Sequence, residues 1–150
     1  MKKFKKILFP VDLSESLPKL VPYVLTMAEK FGAEIHMVFI ARILDHFTGV
    51  YVPHTSIDVF EKEVVEGAKK RIQEFKEEHF QAYPDTKAVV LTGDISDKIL
   101  AYIKSEGFDL VVMGTHGRLG LEKIVFGSVA ERVAKMSPVP VLLVNPHKVS

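Results

Sequence analysis

The stretch Gly114-Thr115-His116-Gly117, followed after nine residues by Gly127-Ser128, concentrates the groups in this chain best suited to holding an anion. Glycine lets backbone amides approach a ligand with no Cβ in the way. Successive amides in such a turn form an anion-binding concavity. Gly127-Ser128 is expected to open a helix whose first amides and positive dipole end favour a phosphate. Ser128 would serve there as N-cap, or give its hydroxyl to a phosphate oxygen. Two amide nests on either side of a nine-residue excursion can grip a run of phosphates from two sides. The bland alternative is a glycine-rich strand-to-helix connection that binds nothing. A single glycine pair would leave that alternative ahead, but Gly114, Gly117 and Gly127 with Ser128 together weigh against it.

Other phosphate loops fail on residue type. No Gly-x-x-x-x-Gly-Lys-Ser/Thr occurs, which excludes a Walker loop, and the turn after the first apolar run has no glycine, which counts against a dinucleotide fingerprint. Lys135-Met136-Ser137 is followed by Pro138 where a synthetase signature needs lysine. The six histidines show no metal-ligand spacing, and His116 and His36 are read as solvent-facing and as structural or surface residues.

The elements that must position the glycine loop follow from apolar periodicity. Buried-strand runs are expected at Lys6 to Val11, Glu34 to Ala41, Lys87 to Leu91, Asp109 to Met113 and Val139 to Val144. Helical patterns lie between them. One runs from Leu17 to Phe31, with Pro18 or Pro22 in its first turn and Gly32 as C-cap. A second carries Phe60, Val64, Ala68, Ile72 and Phe75 on one face; a third is capped at Gly93-Asp94 and lined by Ile95, Ile99, Tyr102 and Ile103. The last, through Val129, Val133 and Met136, stops at Ser137-Pro138, and Arg42 to Ile57 is expected as a long loop. Strand-helix alternation of this kind predicts one domain over residues 1–150: a doubly wound, Rossmann-like α/β fold with a five-stranded parallel sheet in order 3-2-1-4-5 and helices on both faces. Ligands in such sheets bind beyond the carboxyl ends of the strands where the winding reverses. That places Asp12, after the first strand, opposite the glycine loop after the fourth.

Composition narrows the partners. The formal net charge is +1, which gives no reason to expect nucleic acid or an anionic membrane. With no cysteine, disulfides, thiolate metal sites and cysteine nucleophiles are excluded. The apolar run Ile7-Leu8-Phe9, closed by Pro10, is too short for a signal segment or membrane span, so the expectation is a cytoplasmic protein.

The spacing Gly-2x-Gly-9x-Gly-Ser, preceded by Asp109-Leu110-Val111-Val112-Met113, resembles the ATP-binding branch of the universal stress protein family. The resemblance extends to Ile7 through Ser14, to Gly93-Asp94 and to Pro138 through Val144, and so covers essentially the whole chain. It implies that Asp12 hydrogen-bonds the ribose or lies near the phosphates, with Pro10 and Val11 backing the base. Ile40 would offer its backbone amide and carbonyl to adenine, although Val38 fits the pattern as well. Met113 and Gly114 would pack under the nucleotide. Thr115 and His116 belong to the same loop, and Gly117, Gly127, Ser128 and the Val129 amide would hold the phosphates, with Arg118 as added charge. Mg²⁺ or Mn²⁺ would bridge phosphate oxygens, with no ligand set of its own on the protein. Asp12 keeps the alternative of capping the first helix.

The function expected is a nucleotide-dependent regulatory or stress-protective switch. The enzymatic alternative, a slow ATPase or phosphotransferase in the same pocket, lacks an evident second carboxylate beside Asp12, and no residue is assigned as catalytic. A receiver-type phosphorylation switch would need clustered acids, and Asp12 stands alone. The last strand, Val139 to Val144, is an apolar edge that invites pairing. The resemblance likewise implies a homodimer through it.

Overall fold

The computed structural model describes residues 1–42, 54–115 and 121–149, and of 54–57 and 121–126 the backbone only. The chain runs β1 (Lys6–Pro10), a 3₁₀ turn (Leu17–Leu20), α1 (Val21–Phe31), β2 (Glu34–Ala41), α2 (His54–His79), β3 (Lys87–Thr92), α3 (Ile95–Glu106), β4 (Leu110–Gly114), α4 (Leu121–Met136) and β5 (Val141–Val144). All four strand pairs are parallel, in the order β3-β2-β1-β4-β5.

Alternation along the strands sorts the core into two layers. Ile7 and Phe9 of β1, Ile35 and Met37 of β2 and Leu110 and Val112 of β4 pack with α1 and α2. Leu8, Val38, Ile40, Val111 and Met113 pack against α3 and α4 on the opposite face. β4, and β1 from Ile7 onward, are therefore apolar because both their faces are covered.

Several boundaries differ from expectation, each for a local reason. The first helix is split: Leu17–Leu20 is a 3₁₀ turn, and α1 proper begins at Val21 with Pro22 in its first turn, where a missing N–H costs nothing. Gly32 ends α1 at φ 62°, as a left-handed C-cap. α2 opens at His54, so 54–57 is helical and not loop; the loop expected over 43–53 lies outside the described residues. β5 begins only at Val141, since Pro138 and Pro140 cannot donate to a ladder.

His36 proves structural. It is 3% exposed on the α3 side of β2, with Nε2 3.2 Å from Glu34 Oε1 and its ring edge-on to Phe108. Burial lowers its pKa below the usual 6.5 against the opposing pull of Glu34, while the Lys6 and Lys87 charges add to the lowering. The unfolded chain takes up this proton near the ordinary value, and the folded one resists it. The group's contribution to stability is thus full above about pH 6.5 and is lost as pH falls from there toward the lowered folded value. Urea unfolding is expected to show stability falling from pH 7 to pH 5, with His36 supplying at most about 1.4 kcal/mol per pH unit. His36→Leu should remove that component of the slope.

Candidate functional site

The winding reverses between β1 and β4, the neighbours whose crossover helices lie on opposite faces. Register shows what meets there. β1 stops at Pro10 opposite Val38, and the Val11 N–H donates to the Val38 carbonyl at 2.9 Å. Two residues further on, Asp12 stands level with Ile40. The pairing of Ile7 with Leu110, carried on, sets Asp12 level with Thr115. Carried past the end of β1, the register thus sets three residues from distant segments at one height, Asp12 and Thr115 just beyond their strands and Ile40 near the end of β2. Residues two apart on a strand direct their amide and carbonyl to the same side. Val38 spends its carbonyl on Val11, so Ile40 directs its own groups the same way, past the last pair of β1. Of the two β2 residues the pattern left open, Ile40 is the one beyond the last β1–β2 pair, while it still pairs with Leu91 of β3.

A hollow opens at this point. Pro10, Asp12 and Ser14 line it from the β1 exit, Ser16, Leu17 and Leu20 from the 3₁₀ turn, and Gly114 from the end of β4. Asp12 shapes its own turn: Oδ1 accepts the Ser14 N–H at 3.0 Å, and Leu13 between them sits at φ 58°. Capping is not its role. The 3₁₀ turn and α1 have Ser16 and Leu20 at their N-cap positions, and neither makes a side-chain cap bond. The Ser14 and Ser16 hydroxyl oxygens lie 3.1 Å apart, and the Arg71 guanidinium of α2 donates to the Leu13 carbonyl at 3.0 Å.

On the β4 side, Met113 is fully buried, Gly114 pairs with Val144, and the Thr115 N–H donates to the Val144 carbonyl at 2.9 Å. His116, Gly117 and Arg118 lie outside the described residues. The expectation for Gly127-Ser128 needs correction. α4 opens at Leu121, six residues earlier, so Gly127, Ser128 and Val129 are in the helix interior. Their amides are not among the four that a helix leaves without an internal partner, and Ser128 is not an N-cap. Gly127 instead faces the β4 exit: a Cβ built on it would sit 3.4 Å from the Thr115 carbonyl oxygen. Ser128 is exposed and Val129 is buried against the α3/α4 core.

Gly93-Asp94 holds structure at the β3 end. Asp94 caps α3 by accepting the Asp97 N–H at 3.0 Å, and that bond, aided by the Ser96 hydroxyl and by the Arg42 and Arg132 charges, lowers its pKa. Arg132 of α4 reaches Ser96 and Asp97, tying the two helices together. Sequence reasoning missed Ser14, Ser16, Leu17 and Leu20 as lining residues; the Asp-x-Ser spacing of an Asx turn was the available signal.

A doubly wound parallel sheet with a hollow at its reversal point defines a Rossmann-like α/β protein. Residues 3–145 match the model of the universal stress protein family, and the chain belongs to that family. It is 30% identical over 147 residues to the universal stress protein YxiE of Bacillus subtilis, covering 95% of this chain and 99% of the relative. It is 29% identical over 154 residues to the universal stress protein MJ0577 of Methanocaldococcus jannaschii, covering 95% of each. The solved structure of MJ0577 superimposes with a TM-score of 0.79 at 26% identity, over 96% of this chain and 97% of that one. A family protein from Arabidopsis thaliana, solved with AMP bound, shares the fold at a TM-score of 0.63 and 16% identity, over 94% and 91% of the two chains. Among the described residues, no helix is long and apolar enough to cross a membrane.

Proposed function

We propose that this chain binds ATP at the β1–β4 reversal and acts as a nucleotide-dependent regulatory or stress-protective switch in the cytoplasm. The observation that carries the reading is the hollow lined by Asp12 and Gly114 at the β1–β4 reversal, where the strand register, carried past the end of β1, sets Asp12 level with Ile40 and Thr115. The AMP-bound relative supports the nucleoside half of the ligand. The spacing of Gly114, Gly117 and Gly127 supports the phosphate half.

In this reading Asp12 takes the ribose hydroxyls, with Pro10 and Val11 behind the base, and the Ile40 backbone meets the adenine edge. Met113 and Gly114 lie beneath the nucleotide, while Thr115, His116, Gly117 and Arg118 wrap the phosphates. The interior position of Gly127 and Ser128 changes how they act. Gly127 contributes a surface without a Cβ and Ser128 its hydroxyl, in place of helix-opening amides; Val129 supports them from the core. Among the described residues Asp12 is the single carboxylate lining the hollow, too few for a protein-built Mg²⁺ cage, so Mg²⁺ or Mn²⁺ would be carried on phosphate oxygens. Binding is the main event, and hydrolysis at most slow.

The test is to purify the protein without added nucleotide, identify any retained ligand by mass, and titrate ATP with Mg²⁺ by calorimetry. An adenine nucleotide or a micromolar titration supports the reading. A protein that carries none and does not bind millimolar ATP overturns it.

The partner we propose is a second copy, paired antiparallel through β5. β5 is an edge strand with one neighbour, and its Leu143 is 40% exposed. An isologous pair would bring a substitution in twice. Leu143→Lys is therefore expected to convert dimer to monomer in sedimentation velocity. Val141 packs against the α3/α4 core, so lysine there would damage the fold as well. A wild-type protein already monomeric at micromolar concentration would end the idea.

A further inference from the structure

We propose that Arg71 of α2 is a positioning residue that holds the Asp12 turn in its ligand-ready shape; the assignment rests on the nucleotide reading above. Leu13 is the one residue other than glycine with positive φ among the described residues. In that conformation the Cβ crowds the following carbonyl, which an L-residue adopts only when its surroundings hold it there. Three contacts do so. The Asp12 carboxylate accepts the Ser14 N–H, the Leu13 side chain packs on the α1/α2 core, and Arg71 Nη2 donates to the Leu13 carbonyl at 3.0 Å.

Of the two hydrogen bonds, only the Arg71 one comes from outside the turn, 58 residues away in sequence. Its base is fixed: Ile72, the next residue, is 1% exposed, and Ala68, one turn earlier, is 7% exposed. The guanidinium therefore works from an anchored helix against the peptide joining Leu13 to Ser14. If that peptide turned over, its carbonyl would leave Arg71 and its N–H would leave Asp12, and both lining residues, Asp12 and Ser14, would lose their places in the hollow. A planar, multi-donor guanidinium fixes a carbonyl in a way a freely rotating ammonium does not. Arg71 thus raises the fraction of molecules whose turn is competent to bind, and observed affinity scales with that fraction.

The experiment is calorimetric titration of the full chain with adenosine and with ATP·Mg²⁺, for wild type, Arg71→Ala, Leu13→Asn and the double variant. Positioning acts on the nucleoside contacts common to both ligands. Arg71→Ala should weaken both by the same factor, about 3- to 10-fold, with the unfolding midpoint little changed. Asparagine tolerates the left-handed conformation, so in the Leu13→Asn background the loss from Arg71→Ala should shrink to about twofold or less. Weakened ATP with unchanged adenosine would make Arg71 a charge on the phosphates and overturn the proposal. So would equal losses in both backgrounds, or no loss at all. Wild-type protein that binds neither ligand overturns the nucleotide reading itself, and the Arg71 assignment with it.

Discussion

Gly127→Val is expected to lower ATP affinity by about two orders of magnitude or more while the chain stays folded, because close approach of backbone and ligand is what glycine permits. Gly127→Ala is expected to stabilise the fold. Gly127 lies inside α4, where glycine costs about 0.5–1 kcal/mol relative to alanine. Unlike Gly32, Gly93 and Gly107, it has no positive φ to justify that cost. Space within the protein does not require it either, since an added Cβ would meet the Thr115 carbonyl at a contact distance of 3.4 Å. In the proposed reading, a ligand close to the helix surface at the β4 exit supplies the reason. Alanine should therefore gain about 0.5–1 kcal/mol in urea unfolding and lose a few-fold in ATP affinity. The γ-carbons of valine would reach into the space the phosphates need. Calorimetric titration and denaturation of both variants separate the two effects. Wild-type affinity in Gly127→Val would move the phosphates elsewhere.

The same glycine shows where the sequence was readable and where it was not. The pair Gly127-Ser128 carries a helix-start signature, yet α4 begins six residues before it. Local propensity was overridden there, as happens where a site imposes its own demand. By contrast β2 runs from Glu34 to Ala41 as its apolar run predicts, because Gly32 closes α1 just before it and both faces of the strand are buried. The strand order was legible because alternating strands and helices leave few crossovers of the right hand. Asp12 and Ile40 were offered by the family resemblance, with Val38 fitting the pattern of β2 as well, and their register with Thr115 follows only from where β1 stops, opposite Val38. Leu13 and Arg71 could not be found at all: a left-handed leucine has no residue-type signature, and its partner is 58 residues distant.

Asp12→Ala should cost about 10- to 100-fold in affinity for adenosine and ATP alike, since a hydrogen bond to a charged group is worth about 1.5–3 kcal/mol and 1.4 kcal/mol is tenfold. The equal loss follows from where the residue stands. In the proposed reading Asp12, level with Ile40, stands at the nucleoside end of the crevice, while the glycines that would meet the phosphates lie on the β4 side. Alanine removes two things at once, the ribose acceptor and the oxygen that receives the Ser14 N–H. Asp12→Asn separates them. Its amide oxygen can still accept from Ser14 and keep the turn, but its charge is gone and only one acceptor oxygen remains. Asparagine should therefore fall between wild type and alanine, and its unfolding midpoint should match wild type. If Asp12→Asn binds as poorly as Asp12→Ala, the ribose contact depends on the charge and not on the turn. If alanine weakens ATP alone and spares adenosine, Asp12 belongs with the phosphates and their divalent ion, and the nucleotide lies in the crevice the other way round.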